Sequence, residues 1–120
     1  MLTLLYYPKC STCRRAKDWL DQHQIEYQLR DIREEHPTGE ELSQWQKRSG
    51  LPLKKFFNTS GQRYRELALK DTLPSMGEGA ILELLATDGM LVKRPLLVGE
   101  NQVLVGFRPQ EWGERLGVEP

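Results

Sequence analysis

Cys10-Ser11-Thr12-Cys13 contains both cysteines of the chain. Two thiols two residues apart, set where a short apolar strand gives way to a helix, are suited to thiol–disulfide exchange. The run Leu2 to Tyr7 is apolar and aromatic enough for a buried strand, and Pro8-Lys9 breaks it. From Arg14 to His23, the residues Ala16, Trp19 and Leu20 recur at helical spacing, which puts Cys10 at or beside the helix N-cap. A thiolate there gains from the unpaired N–H groups of the first turn and from the positive end of the helix dipole. Its pKa is therefore expected below the roughly 8.5 of a free thiol. Cys13 falls on the same helix face as Ala16 and Leu20, the face that packs against the strand. The expectation is an exposed Cys10 as nucleophile and a partly covered Cys13 as resolving thiol.

Three other readings of the pair stay open on the residues alone. Half of a zinc site needs further donors, and the chain offers only His23 and His36, neither at finger-like spacing. A static disulfide across two residues closes a loop too small to stabilise much. Two inert core thiols are the third reading, since free cysteine is often buried.

Arginines supply the candidate anion chemistry. Arg14 and Arg15 stand in the first turn of the cysteine helix, where positive charge opposes the dipole. Either they hold an oxyanion together with the first-turn amides, or they are solvated surface groups. Arg94-Pro95 precedes a later strand, and Arg108-Pro109 opens the last helix with a guanidinium suited to bidentate contact with a tetrahedral oxyanion. Taken alone, each reads as a surface arginine, and Pro95 as a trans proline.

The elements that must position these groups follow from periodicity. Ile25 to Ile32 alternates as a second strand, so strand, helix and strand form a parallel crossover. Thr38 caps a helix through about Arg48, with Glu41 as capping-box partner and Gly50 as stop. Leu51 to Leu73 reads as short helical pieces, Leu53 to Phe57 and Tyr64 to Leu69, around a turn at Asn58 to Gly61. A further helix runs from about Glu78 to Thr87 and ends at Asp88-Gly89. Leu96 to Val98 and Val103 to Val105 flank a hairpin signal at Gly99 to Gln102, and Pro109 to Leu116 closes the chain as a helix.

At 120 residues the chain is long enough for one domain, 1–120, that buries a core without metal or disulfide staples. Seventeen basic and seventeen acidic residues cancel, so no global field recruits nucleic acid or an anionic membrane. With no spanning apolar run and no signal peptide, a cytoplasmic location is expected.

Tyr7-Pro8-Lys9-Cys10-Ser11-Thr12-Cys13-Arg14-Arg15-Ala16, then Lys93-Arg94-Pro95-Leu96, then Gly106-Phe107-Arg108-Pro109 resemble, in order, the glutaredoxin-like arsenate reductase (ArsC) and Spx family of bacterial proteins. The resemblance extends over nearly the whole chain and is nearest to ArsC-related members with a CxxC motif. It implies an α/β fold of the thioredoxin-like (glutaredoxin-like) type: βαβ, a helical insertion over about 37–89, then ββα. It also implies that Pro95 is cis and faces the Cys10 loop. In the arsenate reductase branch the first cysteine attacks arsenate and arginines bind the arsenylated intermediate. Carried over, Cys10 is the nucleophile and Arg94 and Arg108 match two of three family arginines, while Asn58 stands where the third is expected. Glutathione-dependent members often have Ser where this chain has Cys13, which fits an internal disulfide here. No bound cofactor is implied, only an external thiol reductant, glutathione with glutaredoxin or thioredoxin. The Spx branch implies the alternative, a transcriptional regulator that binds the RNA polymerase α subunit and uses its CxxC as a redox switch. Ser60 stands where Spx has an arginine.

Overall fold

The computed structural model describes residues 1–120. β1 (Leu2–Tyr6) pairs in parallel with β2 (Tyr27–Asp31) and antiparallel with β3 (Leu96–Val98), which in turn pairs antiparallel with β4 (Val103–Val105). The sheet order is therefore β2-β1-β3-β4. Helix α1 (Ser11–Gln22) connects the two parallel strands, as a parallel pair requires a crossover.

Period-two alternation divides the core between the two faces of this sheet. Leu4, Leu97 and Leu104 point to one side, where Ala16, Trp19 and Leu20 of α1 and Trp112 of α6 (Pro109–Leu116) cover them. Leu5, Leu96 and Val103 point to the other side, under the segment between β2 and β3. That segment contains α2 (Gly39–Ser49), a 3₁₀ turn at Leu53–Phe56, α3 (Gln62–Glu66), α4 (Leu69–Thr72) and α5 (Glu78–Leu85). The order βαβ, helical insertion, ββα agrees with the thioredoxin-like expectation. No helix is long and apolar enough to cross a membrane.

Local chemistry explains the boundaries. At the start of α2 the Glu41 amide donates to Thr38 Oγ1 at 3.1 Å and the Thr38 amide donates to Glu41 Oε1 at 3.1 Å, a reciprocal capping box. Gly50 ends that helix at φ 71°, a left-handed conformation that favours glycine.

Three expectations shift. The second strand is shorter than 25–32, and within it Leu29 is 44% exposed, because β2 is an edge strand and its outer side meets solvent. The piece expected over Tyr64 to Leu69 is two helices, broken at Ala68 with φ 51°, a conformation with no composition signal because alanine ordinarily favours helix. The helix from Glu78 stops at Leu85, short of Thr87.

Gly89 locks the insertion against the end of β2. A Cβ at this position would lie 1.8 Å from the Ile32 carbonyl oxygen, a backbone atom with little freedom to move. Gly89→Ala is expected to cost about 3 kcal/mol through forced backbone displacement, read as a lowered urea midpoint at unchanged m-value. An unshifted midpoint contradicts this packing.

Candidate active site

The strand-to-helix turn places the two sulfurs. After β1, the Cys10 amide donates to the Tyr7 carbonyl at 2.9 Å, closing the turn that Pro8-Lys9 initiates. Cys10 then stands as the N-cap of α1, with φ −93° and ψ 117°, and its carbonyl accepts from the Arg14 amide at 3.0 Å. Its sulfur plays the part that a serine or aspartate oxygen usually plays: Cys10 Sγ accepts from the Cys13 amide at 3.3 Å. Both cysteines are free thiols. Cys10 is half-buried, while Cys13 is wholly buried, deeper than the partly covered position expected from the helical wheel. The wheel gives the direction of a side chain but not how thickly the opposite element covers it.

The two thiols are driven apart electrostatically. Burial pushes the Cys10 thiol up. That effect is outweighed by hydrogen bonds from the side chain and amide of Cys13 and by the charge of the Arg94 guanidinium, leaving it below its ordinary value. Cys13 is pushed up to about 12, first by burial, then by its hydrogen bond to Cys10 and by the negative charge on that sulfur. Of the two thiols Cys10 is the one that ionises first, and when it does the pair's remaining proton stays on Cys13, which donates it toward the Cys10 sulfur.

Arg94 reaches this site from the far end of the chain. The Arg94-Pro95 peptide bond is cis, and Pro95 is buried just ahead of β3. The guanidinium lies 5.3 Å over the Tyr7 ring. Its Nε and Nη1 are buried with no hydrogen-bond partner. Two buried, unpaired cationic donors beside the Cys10 sulfur are costly to the fold and ready for an anion. Arg94 also lines a cavity of 360 Å³ with Asn58, Gln62 and Met90.

The other named arginines stand elsewhere. Arg14 is exposed and donates through Nη1 to the Pro8 carbonyl at 2.9 Å, bracing the cysteine loop from outside. Arg108 is exposed at the N-cap of α6 and lines a separate hollow with Lys54, Lys55 and Lys93. The structure thus brings together Cys10, Cys13 and Arg94 and leaves Arg14 and Arg108 at the periphery. No three His, Cys, Asp or Glu side chains gather as a metal-ligand set. Sequence reasoning missed Tyr7 as the platform under Arg94, because the two residues lie at opposite ends of the chain and only the β1–β3 pairing makes them neighbours.

Comparison with known proteins bears on this geometry. The family model of the ArsC family matches residues 5–115. YusI of Bacillus subtilis is 53% identical over 113 residues, covering 94% of this chain and 96% of that protein. The crystal structure of a possible arsenate reductase from Streptococcus mutans is 52% identical, with a TM-score of 0.84 over 90% of this chain and 92% of that one. The global transcriptional regulator Spx of Staphylococcus haemolyticus is 33% identical over 112 residues, covering 92% of this chain and 83% of that protein.

Proposed function

The chain belongs to the ArsC family, and we propose that it is a thiol–disulfide oxidoreductase of the arsenate reductase type with Cys10 as nucleophile and Cys13 as resolving thiol. The observation that carries this reading is the arrangement at the N-cap: a stabilised Cys10 sulfur, a protonated Cys13 behind it, and Arg94 with two unpaired donors alongside. The 52% identity to the Streptococcus mutans protein supports arsenate as the oxyanion to try first.

In the proposed cycle the Cys10 thiolate attacks arsenic(V), forming an S–As bond and expelling one oxygen as water after protonation. Arg94 offsets the negative charge on the remaining oxygens. Cys13 then attacks Cys10 Sγ as a thiolate; the S–S bond forms, the S–As bond breaks, and its electron pair stays on arsenic, which leaves as arsenite. Two thiols become one disulfide and arsenate gains two electrons; the proton lost by Cys10 leaves in the water, and the proton lost by Cys13 passes to the arsenite oxygens.

The order of these steps follows from electrostatics. While Cys10 is a thiolate, its charge and hydrogen bond help hold Cys13 protonated. Once Cys10 is bonded to arsenic that charge is gone, and Cys13 ionises more readily at the moment it is needed. An external reductant, glutathione with glutaredoxin or thioredoxin, then restores the dithiol, as fits a reducing cytoplasm. No bound cofactor takes part. Arg108 and Arg14 serve in this reading as outer anion-attracting groups.

Arsenate turnover measured side by side with glutathione/glutaredoxin and with thioredoxin tests the proposal. Arsenite formation in one of the two systems is expected. None in either rejects arsenate as substrate.

The Spx relative supports a second reading, in which the same disulfide controls binding to the RNA polymerase α subunit. Capture of that subunit by the reduced or the oxidised protein, but not equally by both, is its signature. Capture in neither state removes it.

A further inference from the structure

Two hollows adjoin on the face formed by the helical insertion and the start of α6. The larger, 540 Å³, has an aliphatic floor of Leu69, Leu73, Pro74 and Ile81, and Lys54, Lys55 and Lys70 at its margin. The second, 380 Å³, shares Lys54, Lys55 and Thr59 with the first and adds Lys93 and Arg108, against a single carboxylate, Glu111. Together they gather five cations in a chain whose formal net charge is zero.

Those cations are free. The ion pairs of the molecule use Lys17, Arg30 and Arg63, and none of the five is among them. Nor does any of the five donate a side-chain hydrogen bond, whereas Arg14, Arg30 and Arg48 all bond to backbone carbonyls. Like charges gathered without carboxylate partners repel one another, and a bound polyanion removes that repulsion. The aliphatic floor offers a contact that a simple anion does not use: Leu69 and Ile81 are buried at its base, and an apolar group seated there covers the open parts of Leu73 and Pro74. Its aliphatic lining suits a branched or aromatic side chain better than a stacked nucleobase, since the one aromatic ring at its wall, Tyr64, is already engaged edge-on with Phe57 at 6.1 Å.

We infer that this groove is a docking site for an acidic peptide segment of a partner protein, with one bulky apolar side chain anchored among Leu69, Leu73, Pro74 and Ile81 and flanking carboxylates held by Lys54, Lys55 and Lys93. The inference is independent of the reaction catalysed at Cys10, since the groove is built from different residues apart from Arg108 at its edge. It assigns the chain a recognition surface for a protein whose contact segment is acidic and apolar rather than basic.

Fluorescence anisotropy of the reduced full-length protein with labelled synthetic peptides tests it. The peptides are one rich in Asp and Glu around a central Phe, the same peptide with Ser for Phe, and its Lys-rich charge-reversed counterpart. A single-stranded RNA of similar charge is included. The acidic Phe peptide is expected to bind, and the Ser version about tenfold or more weakly. The Lys54→Glu/Lys70→Glu double variant, altered only at exposed side chains, is expected to bind the acidic Phe peptide about tenfold or more weakly with its thermal midpoint unchanged. Raising the salt is expected to weaken binding several-fold. No binding of the acidic Phe peptide, equal binding of the charge-reversed peptide, indifference to the double variant, or tighter binding of the RNA overturns the inference.

Discussion

Replacing Cys10 with serine is expected to reduce turnover of the oxyanion substrate by about a thousandfold or more, the effect of deleting a nucleophile whose attack opens a covalent pathway. A serine hydroxyl can occupy the N-cap and accept the amide of residue 13, so the start of α1 is expected to remain intact. Its oxygen, however, is neither ionised near neutral pH nor able to enter a disulfide. Cys13→Ser separates the two roles. It leaves the attacking sulfur in place but removes the thiol that breaks the S–As bond, so a single turnover is expected to stall with Cys10 carrying an adduct, detectable as a mass increment on the intact protein. Loss of activity in Cys10→Ser, together with a trapped adduct in Cys13→Ser, assigns attack and resolution to the two sulfurs in that order. Wild-type turnover by Cys10→Ser, or an adduct on residue 13, reverses the assignment.

Arg94→Met is expected to lower turnover about a hundredfold, in the range found for removing one donor from a site that stabilises developing negative charge, without lowering stability. The guanidinium keeps Nε and Nη1 buried and unpaired, a cost to the folded state that a methionine of similar length does not carry. The methionine also retains an apolar contact with the Tyr7 ring, where the guanidinium now lies at 5.3 Å. The free energy of unfolding should therefore hold or rise, by up to about 1 kcal/mol, read as an unchanged or raised urea midpoint. Arg94 lowers the Cys10 pKa by its charge, so removing it should raise that pKa and leave less thiolate at neutral pH. A residue with a merely structural role shows the opposite pattern, with lost stability and an unmoved thiol titration.

Much of this was legible in the chain. Leu2 to Tyr7 followed by Pro8-Lys9 and the Ala16, Trp19, Leu20 spacing located the turn, and with it the capping position of Cys10, because periodicity and breakers act locally. Thr38 and Glu41 announced their helix for the same reason. The tandem Leu4-Leu5, Leu96-Leu97 and Val103-Leu104 pairs hid their meaning, since adjacent apolar residues serve opposite faces once helices cover both sides of a sheet. The depth of Cys13, the Arg94–Tyr7 stack and the gathering of Lys54, Lys55 and Lys93 depend on which distant elements meet, and no local pattern encodes that. Ala68 in a left-handed conformation is likewise set by the packing of α3 and α4 and not by its own preference.

The central claim is that Cys10 is an activated thiolate while its neighbour in the motif stays protonated. The most direct measurement is the rate of alkylation of the reduced protein by iodoacetamide across pH, with the modified residue located by peptide mass. The account predicts a Cys10 titration with its midpoint below the roughly 8.5 of a free thiol and no comparable modification of Cys13, whose own midpoint lies at about 12. A Cys10 midpoint at or above that of a free thiol, or modification of both sulfurs at the same rate, contradicts it.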